Sequence, residues 1–282
     1  MNLVDVKIPR ATIALITFSI TFYLLATKFS PYVSPLTILA PYGVSVDNLL
    51  FGGFIYSFTH IGLKHLLANM FFLFVIGSLL EQRLESKHVL AIFILSGWIG
   101  GALYVLIKPD VWVLGASTAI CGLIAALIVT DIKKAVVGLI IAMYLTPVVA
   151  YPLADWIVEN VQKEKEKEII INVQKLVNYS QRIKNATEEE KVQLEQEINR
   201  TYKNIAKVVQ QKESIKEGVK TEAVTPTSNL IHILGGLVAL VYLAIFNRKS
   251  YKYLWDDVNG IIKLGSSLVG RGAKKARRGK LR

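Results

Sequence analysis

Long apolar runs alternate with short charged segments along this chain, and the stretches without any charged residue are its sharpest pattern. They cover 11–27, 65–80, 89–107, 111–130, 135–154 and 223–247. A helix that crosses a bilayer needs about 20 mostly apolar residues, within roughly 17–25. Five stretches meet that length as they stand or nearly so. The stretch 65–80 is shorter and extends upstream through Lys64 toward Phe58, with polar residues at that end. The pattern predicts an all-α polytopic membrane protein with six transmembrane helices. The first span reads as a retained anchor rather than a cleaved signal peptide, because no A-x-A site follows Ala26.

One long polar segment interrupts the series, so the chain divides into 1–154 with five spans, a charged insert at 155–228, a sixth span at 229–247 and a tail at 248–282. Within the insert, Ile169, Val173, Leu176 and Ile183 recur at near 3.5-residue spacing, as do Leu194, Ile198, Ile205, Val208 and Ile215. Between the two series, Asn185-Ala-Thr187 reads as a turn, and Thr187 followed by Glu190 forms a Thr-x-x-Glu capping box. The expectation is an antiparallel helical hairpin of coiled-coil type. A solvated linker is the alternative, since charges balance and the apolar seam is thin.

Composition sharpens the membrane reading. Hydrophobic residues make up 52% of the 282, charged residues only 19%, and mean hydropathy is +0.43. Thirty-three Lys and Arg against 21 Asp and Glu give a net charge of +12. Such basicity could serve nucleic acid, but the apolar content points first to a bilayer. The basic residues are also unevenly placed. With the N-terminus cytoplasmic, the inside segments sum to +11 and the outside segments to +1, which fixes N-in and C-in. The insert is then extracellular. It holds the three N-x-[ST] sequons of the chain, at Asn178, Asn185 and Asn199, which belong outside if used. The tail combines Tyr251, Tyr253 and Trp255 with Ile261, Ile262, Leu264 and Leu268 and then a run of Arg and Lys from Arg271 to Arg282. That combination fits an amphipathic surface helix on anionic lipid headgroups, and no nucleic-acid partner is expected.

Two exclusions narrow the chemistry. A single cysteine, Cys121, rules out an internal disulfide and any Cys-based zinc site. No HExxH, GxxxxGK[ST] or GxGxxG occurs, so zincin, P-loop and Rossmann readings lack their residues. What remains is a set of polar residues in apolar spans. With N-in parity the second, fourth and sixth spans all run from outside to inside, so their N-terminal thirds share one depth. His60, His65 and Asn69 lie there in the second span, Ser117 in the fourth and His232 in the sixth. Counted from Val111, Ser117 is expected about 9 Å below the surface. Ionisable side chains inside a membrane are costly and read as functional.

A serine nucleophile needs a base, and His232 is the one available from another helix at that depth. No well-placed carboxylate completes a triad, so a Ser–His dyad is expected. His65 and Asn69, spaced i and i+4, stack on one helix face, and both can donate to a developing oxyanion. His60 falls off that face and suits a network or water-positioning role. Gly115 and Gly122 flank the serine, and Gly235-Gly236 follow His232; small residues there allow the fourth and sixth spans to approach closely.

These residues resemble the rhomboid family of intramembrane serine proteases. The resemblance rests on Phe58-Thr-His60, His65 and Asn69, on Gly77-x3-Glu81-x-Arg83, on Gly115-Ala-Ser117, and on His232-x2-Gly235. It implies a six-helix fold with Ser117 as nucleophile, His232 as general base, and an oxyanion hole from His65, Asn69 and the Ser117 backbone N–H. It also implies protein substrates whose transmembrane segments unwind locally and are cut near the outer face, with no cofactor and no metal. The chain departs from the family pattern at Thr118, where Gly is usual, and at Cys121, where an aromatic commonly stacks on the histidine. Phe51-Gly52 replaces a Trp-Arg pair, and Ala239 stands where Gly is common. The functional expectation is an intramembrane serine endopeptidase. A catalytically inactive rhomboid-like binder of membrane proteins and a small proton-coupled transporter are the alternatives, although no inverted repeat supports the latter.

Overall fold

A computed structural model describes residues 7–29, 40–224, 228–260 and 262–263. The polybasic end of the tail, Leu264 onward, lies outside the described residues, as does Ile261. The fold is all-α. Its helices are α1 (Arg10–Phe29), the short α2 (Phe51–Ile55), α3 (Leu63–Glu81), α4 (Ser86–Ile107), α5 (Ser117–Thr130), α6 (Ile132–Leu145), α7 (Tyr151–Arg182), α8 (Glu188–Val224) and α9 (Asn229–Phe246). A final helix, α10, runs over 249–260. Among the described residues, α3, α4, the rod containing α6 and α9 are long and apolar enough to cross a membrane, and Arg10–Leu25 and Ser117–Thr130 are shorter apolar helices. The chain is a multi-pass membrane protein.

The bundle is organised around α5, which packs against α3, α4, α6 and α9. Ala119, Leu123, Ala126 and Leu127 of α5 are fully buried together with Leu73, Ile76 and Leu80 of α3, Ile92 and Phe93 of α4, and Leu243 of α9. This apolar core holds the second, third, fourth and sixth spans in one body.

Polar residues at one end of the bundle lock the helix ends. The buried Glu81 carboxylate at the end of α3 accepts from the Thr12 amide and hydroxyl, both at 2.7 Å, and from the Ala11 amide at 3.2 Å. Ser86 Oγ donates to it as well, at 2.6 Å. A carboxylate thus sits on the first amides of α1, where the helix dipole favours negative charge. Gly77, one turn earlier, lacks a side chain where Thr12 packs; a Cβ there would meet Thr12 Cγ2 at 3.0 Å. Arg83 donates to Asp131, which accepts from the Lys134 amide at 3.0 Å and so caps α6. The Gly77, Glu81 and Arg83 motif is therefore a fastening between α1, α3, α4 and the α5–α6 joint.

Two helix boundaries differ from the sequence reading. The second span does not extend helically to Phe58: residues 56–58 form a tight turn closed by Thr59 Oγ1 on the Tyr56 carbonyl at 2.8 Å, and α3 starts at Leu63 after an extended Gly62. The fourth span starts as a helix at Ser117 rather than at 111. Val113 is engaged in an antiparallel bridge with Val44, with both amide–carbonyl distances at 3.1 Å, and Gly115 has φ +109°. Neither state is compatible with helix, and only glycine adopts that φ without strain.

The fifth span continues far past 154. After α6, a wide turn over Thr146–Ala150 accommodates Pro147, and the chain runs on through α7 as one helical rod, Ile132–Asn185, of 54 residues. It then turns at 183–187 into α8, which packs back along α7. At the turn, Thr187 N donates to Glu190 Oε2 at 2.9 Å, while the Glu190 amide approaches Thr187 Oγ1 at 3.4 Å. Lys212 Nζ meets Glu166 at 2.5 Å across the pair. The shielded positions between the two helices are Lys165, Ile169, Asn172, Leu176, Tyr179 and Ile183 on α7, and Lys191, Leu194, Ile198, Thr201, Ile205 and Val208 on α8. The expectation for Val173 fails: it points outward, and Asn172 takes the buried place. Steps of 4 and 3 must alternate along such a seam: the shielded positions 165, 169, 172, 176 and 179 do so, whereas 173 in place of 172 would give two steps of 4 followed by two of 3. Ile215 has no described side-chain environment. Asn178, Asn185 and Asn199 are all exposed.

Candidate active site

Ser117 is the first residue of α5, and His232 lies in the first turn of α9. Their side chains meet: His232 Nε2 is 3.0 Å from Ser117 Oγ, within hydrogen-bonding range. Both residues are partly exposed, so the pair is not sealed in the core.

Starting α5 at Ser117 changes the chemistry. Six residues inside a helix, its amide would be bonded to the preceding turn. As the first helical residue, its N–H belongs to the four amides that have no partner within the helix. The amide and the positive end of the helix dipole are then available to a negative ligand atom beside Oγ. The depth expected for Ser117 rested on counting helical rise from Val111, and that count does not hold because residues 111–116 are not helical.

The loop before Ser117 is set by contacts rather than by helix. The Gly115 amide donates to the Tyr56 carbonyl at 3.0 Å, and the buried Tyr56 hydroxyl donates to the Gly97 carbonyl at 2.8 Å. His65 packs on Gly115, where an added Cβ would lie 2.6 Å from the ring. Gly115 thus serves two needs, the positive φ and room for His65, and is not the helix-approach residue expected from its position beside the serine.

The close approach of α9 to α5 is made elsewhere. A Cβ at Gly235 would lie 2.9 Å from Thr118 Cγ2 and 3.0 Å from the Thr118 carbonyl carbon. Gly236 needs no such space, its nearest foreign atom being 3.6 Å away. Gly122 faces Ser96 of α4 and the Gly235 carbonyl, and a Cβ built on Gly100 of α4 would lie 2.9 Å from Thr118 Cγ2 and 3.0 Å from the Gly235 amide nitrogen. Ser96, Gly97, Gly100 and Gly101 were not singled out from sequence, although their small-xxx-small spacing was readable as a packing face. Thr118 is buried in that three-helix junction, so its departure from Gly is accommodated by Gly100 and Gly235 on the neighbouring helices.

Asn69 follows His65 by one turn of α3 and is buried, and its Nδ2 has no hydrogen-bond partner. Such a donor, removed from water and unpaired, costs about 1–3 kcal/mol. His60 precedes α3 in the extended segment. It is fully buried, its Nδ1 lies 3.3 Å from the Phe58 carbonyl, and its ring stands edge-on to His65 with centroids 5.2 Å apart. Its place beside His65 orients that ring. Cys121, one turn after Ser117, is half-buried, and its carbonyl lies 3.9 Å from a Cβ built on Gly236. Among the described residues no three His, Cys, Asp or Glu side chains group as metal ligands.

Comparison with known proteins matches residues 48–163, less than half of the chain, to the model of the Rhomboid domain. That stretch holds His60, His65, Asn69 and Ser117; His232 lies beyond it. The chain is similar to "RHOMBOID-like protein 7" of Arabidopsis thaliana, 41% identical over 69 residues, which is 24% of this chain and 22% of the relative. It is also similar to "Rhomboid-like protease 3" of Toxoplasma gondii, 30% identical over 125 residues, 44% of this chain and 48% of the relative. The matches span less than half the length of these relatives. No solved structure matches the chain.

Proposed function

We propose that this protein is an intramembrane serine endopeptidase that hydrolyses peptide bonds in or near transmembrane segments of membrane proteins. The observation that carries the reading is the 3.0 Å approach of His232 Nε2 to Ser117 Oγ. Neutral His232 takes the hydroxyl proton as Oγ attacks the substrate carbonyl carbon, and the carbonyl oxygen becomes an oxyanion. The Ser117 N–H, Asn69 Nδ2 and His65 donate to that oxygen. The unpaired buried amide of Asn69 supports this role, because a donor left without a partner in the resting protein is satisfied when the oxyanion forms. Protonated His232 then gives its proton to the leaving amine nitrogen, and the acyl-serine is hydrolysed by water with His232 again as base.

In this reading the N- and C-termini are cytoplasmic in a cell membrane and the α7–α8 arm is extracellular, as the charge asymmetry and the exposed sequons support. The basic tail lies on anionic headgroups. The arm holds none of the reacting groups and acts on access or client choice.

The test is cleavage of a model transmembrane substrate by purified protein. Ser117→Ala and His232→Ala should each abolish it, since nucleophile and base act as one unit. Asn69→Ala should leave a rate lowered about 10²–10³-fold. Undiminished cleavage by Ser117→Ala would end the proposal.

A further inference from the structure

The arm has two unlike flanks. On one side of its seam lie Glu168, Lys175 and Arg182 of α7 with Glu197, Arg200 and Lys207 of α8. Glu168, Ile171, Lys175 and Asn204 line one shared cleft there, which places these positions of both helices on a single side. By the phase of the seam, the middle of the other side carries Ile170, Val173 and Val177 of α7 with Tyr202, Ala206 and Val209 of α8, bounded by Glu166 and Glu213 at one end and by Ser180, Lys184, Glu195 and Asn199 at the other. The six central positions are apolar or aromatic, and the five larger ones are between 42% and 62% exposed. A solvated arm gains nothing from such a stripe, since its own seam is already filled by other residues.

We propose that this flank docks on the same flank of a second copy of the chain, so that two arms form a four-helix bundle. Three observations select that partner. First, α6 and α7 are one continuous helical rod, so each arm leaves the membrane at a height set by its own span. Two copies in one bilayer therefore present their arms side by side in the same sense, and the two-fold axis runs along the arm.

Second, that symmetry pairs complementary residues. Glu166 with Lys212, and Asn172 beside Asn204, set which residues of α7 and α8 share a level. A half-turn about the arm axis brings α7 of one copy against α8 of its partner, antiparallel. Ile170 then faces the level of Val209, and Val173 and Val177 face that of Tyr202 and Ala206. The bulky Tyr202 meets two valines, and at the ends of the flank Lys184 comes level with Glu195, while Glu166, already paired with Lys212, comes level with Glu213.

Third, the pairing covers five large side chains on each copy, all between 42% and 62% exposed in the single chain. Confinement to one bilayer raises the effective concentration further. This inference uses only the membrane anchoring and the arm, and stands independently of proteolysis.

Cross-linking in lipid vesicles decides it, using full-length chains in a Cys121→Ser background. Chains bearing Val177→Cys and chains bearing Tyr202→Cys, reconstituted together, should cross-link to each other. The matching pair on the charged flank, Lys175→Cys with Asn204→Cys, should not. Adding Val173→Glu to the first chain should lower the cross-linked fraction at least tenfold; the position is exposed, so the arm itself keeps its fold. Equal cross-linking from both flanks, persistence with Val173→Glu, or single-molecule counting that finds only monomers at high protein-to-lipid ratio would each overturn the proposal.

Discussion

The contact between Gly235 and Thr118 sets how near the base can come to the nucleophile, and a single methyl group tests it. In Gly235→Ala the new Cβ would lie 2.9 Å from Thr118 Cγ2, 3.0 Å from the Thr118 carbonyl carbon, and closer still to the carbonyl oxygen. Carbon contacts settle at about 3.5–4.0 Å, so α9 must retreat from α5 by roughly 0.5–1 Å. His232 is three residues before Gly235 on the same side of α9, and its 3.0 Å distance to Ser117 Oγ would stretch past hydrogen-bonding range. A displacement of about 1 Å costs on the order of 10²-fold in rate. The overpacked junction should also lose about 1–3 kcal/mol of stability. Gly236→Ala is the internal control: its nearest foreign atom is at 3.6 Å, and replacing a mid-helix glycine by alanine favours the helix by about 1 kcal/mol. The assays are kcat/KM on a model transmembrane substrate and thermal unfolding in the same detergent. Thr118→Gly should not rescue Gly235→Ala, because the carbonyl remains. If Gly235→Ala matches Gly236→Ala in both rate and melting temperature, the contact does not control the approach and the reasoning fails.

Glu81→Gln replaces a carboxylate that accepts four hydrogen bonds at the start of α1 and α4, and should cost about 1.5–3 kcal/mol in unfolding experiments; an unchanged melting temperature would show that α1 is not fastened there. At the tip of the arm, the Thr187 amide bonded to the Glu190 carboxylate holds its pKa below the ordinary glutamate value. A depressed folded-state pKa contributes stability that is present above the unfolded value and lost as pH falls through the folded one, so the start of α8 should fray in acid. Helicity and backbone chemical shifts at 187–191, followed by NMR on acidification, should report this, and Glu190→Gln should remove that dependence. For topology, an impermeant thiol reagent on intact cells should label Thr187→Cys but not Ser267→Cys in a Cys121→Ser background; the reverse pattern would invert the orientation.

Much of the architecture was legible because it rests on local rules. A long run of uncharged residues favours a helix in lipid, where every backbone polar group needs an internal partner, so the spans could be located, though not their exact starts, from charge positions. The seam of the arm and its turn at Thr187 followed from 3.5-residue periodicity and a capping box, both of which act within a few residues. The Ser117, His232, His65 and Asn69 candidates were found because polar side chains are conspicuous in apolar spans.

What only tertiary structure decided is where local apolarity and backbone path part company. Residues 111–116 are as uncharged as a helix requires, apart from having no reason to be one: Val113 pairs with Val44 and Gly115 bonds to Tyr56, partners 69 and 59 positions away in the chain. Those contacts start α5 at Ser117 and leave its amide unbonded within the helix. The roles of the glycines were likewise undecidable from spacing, since Gly115, Gly235 and Gly236 are alike in sequence and differ only in what a Cβ would strike. Val173 and Asn172 exchanged places for the same kind of reason, because one residue of helical phase is set by the helix opposite. Sequence by itself determined that these side chains exist at one end of a membrane bundle; the packing of helices against one another determined that Ser117 and His232 touch.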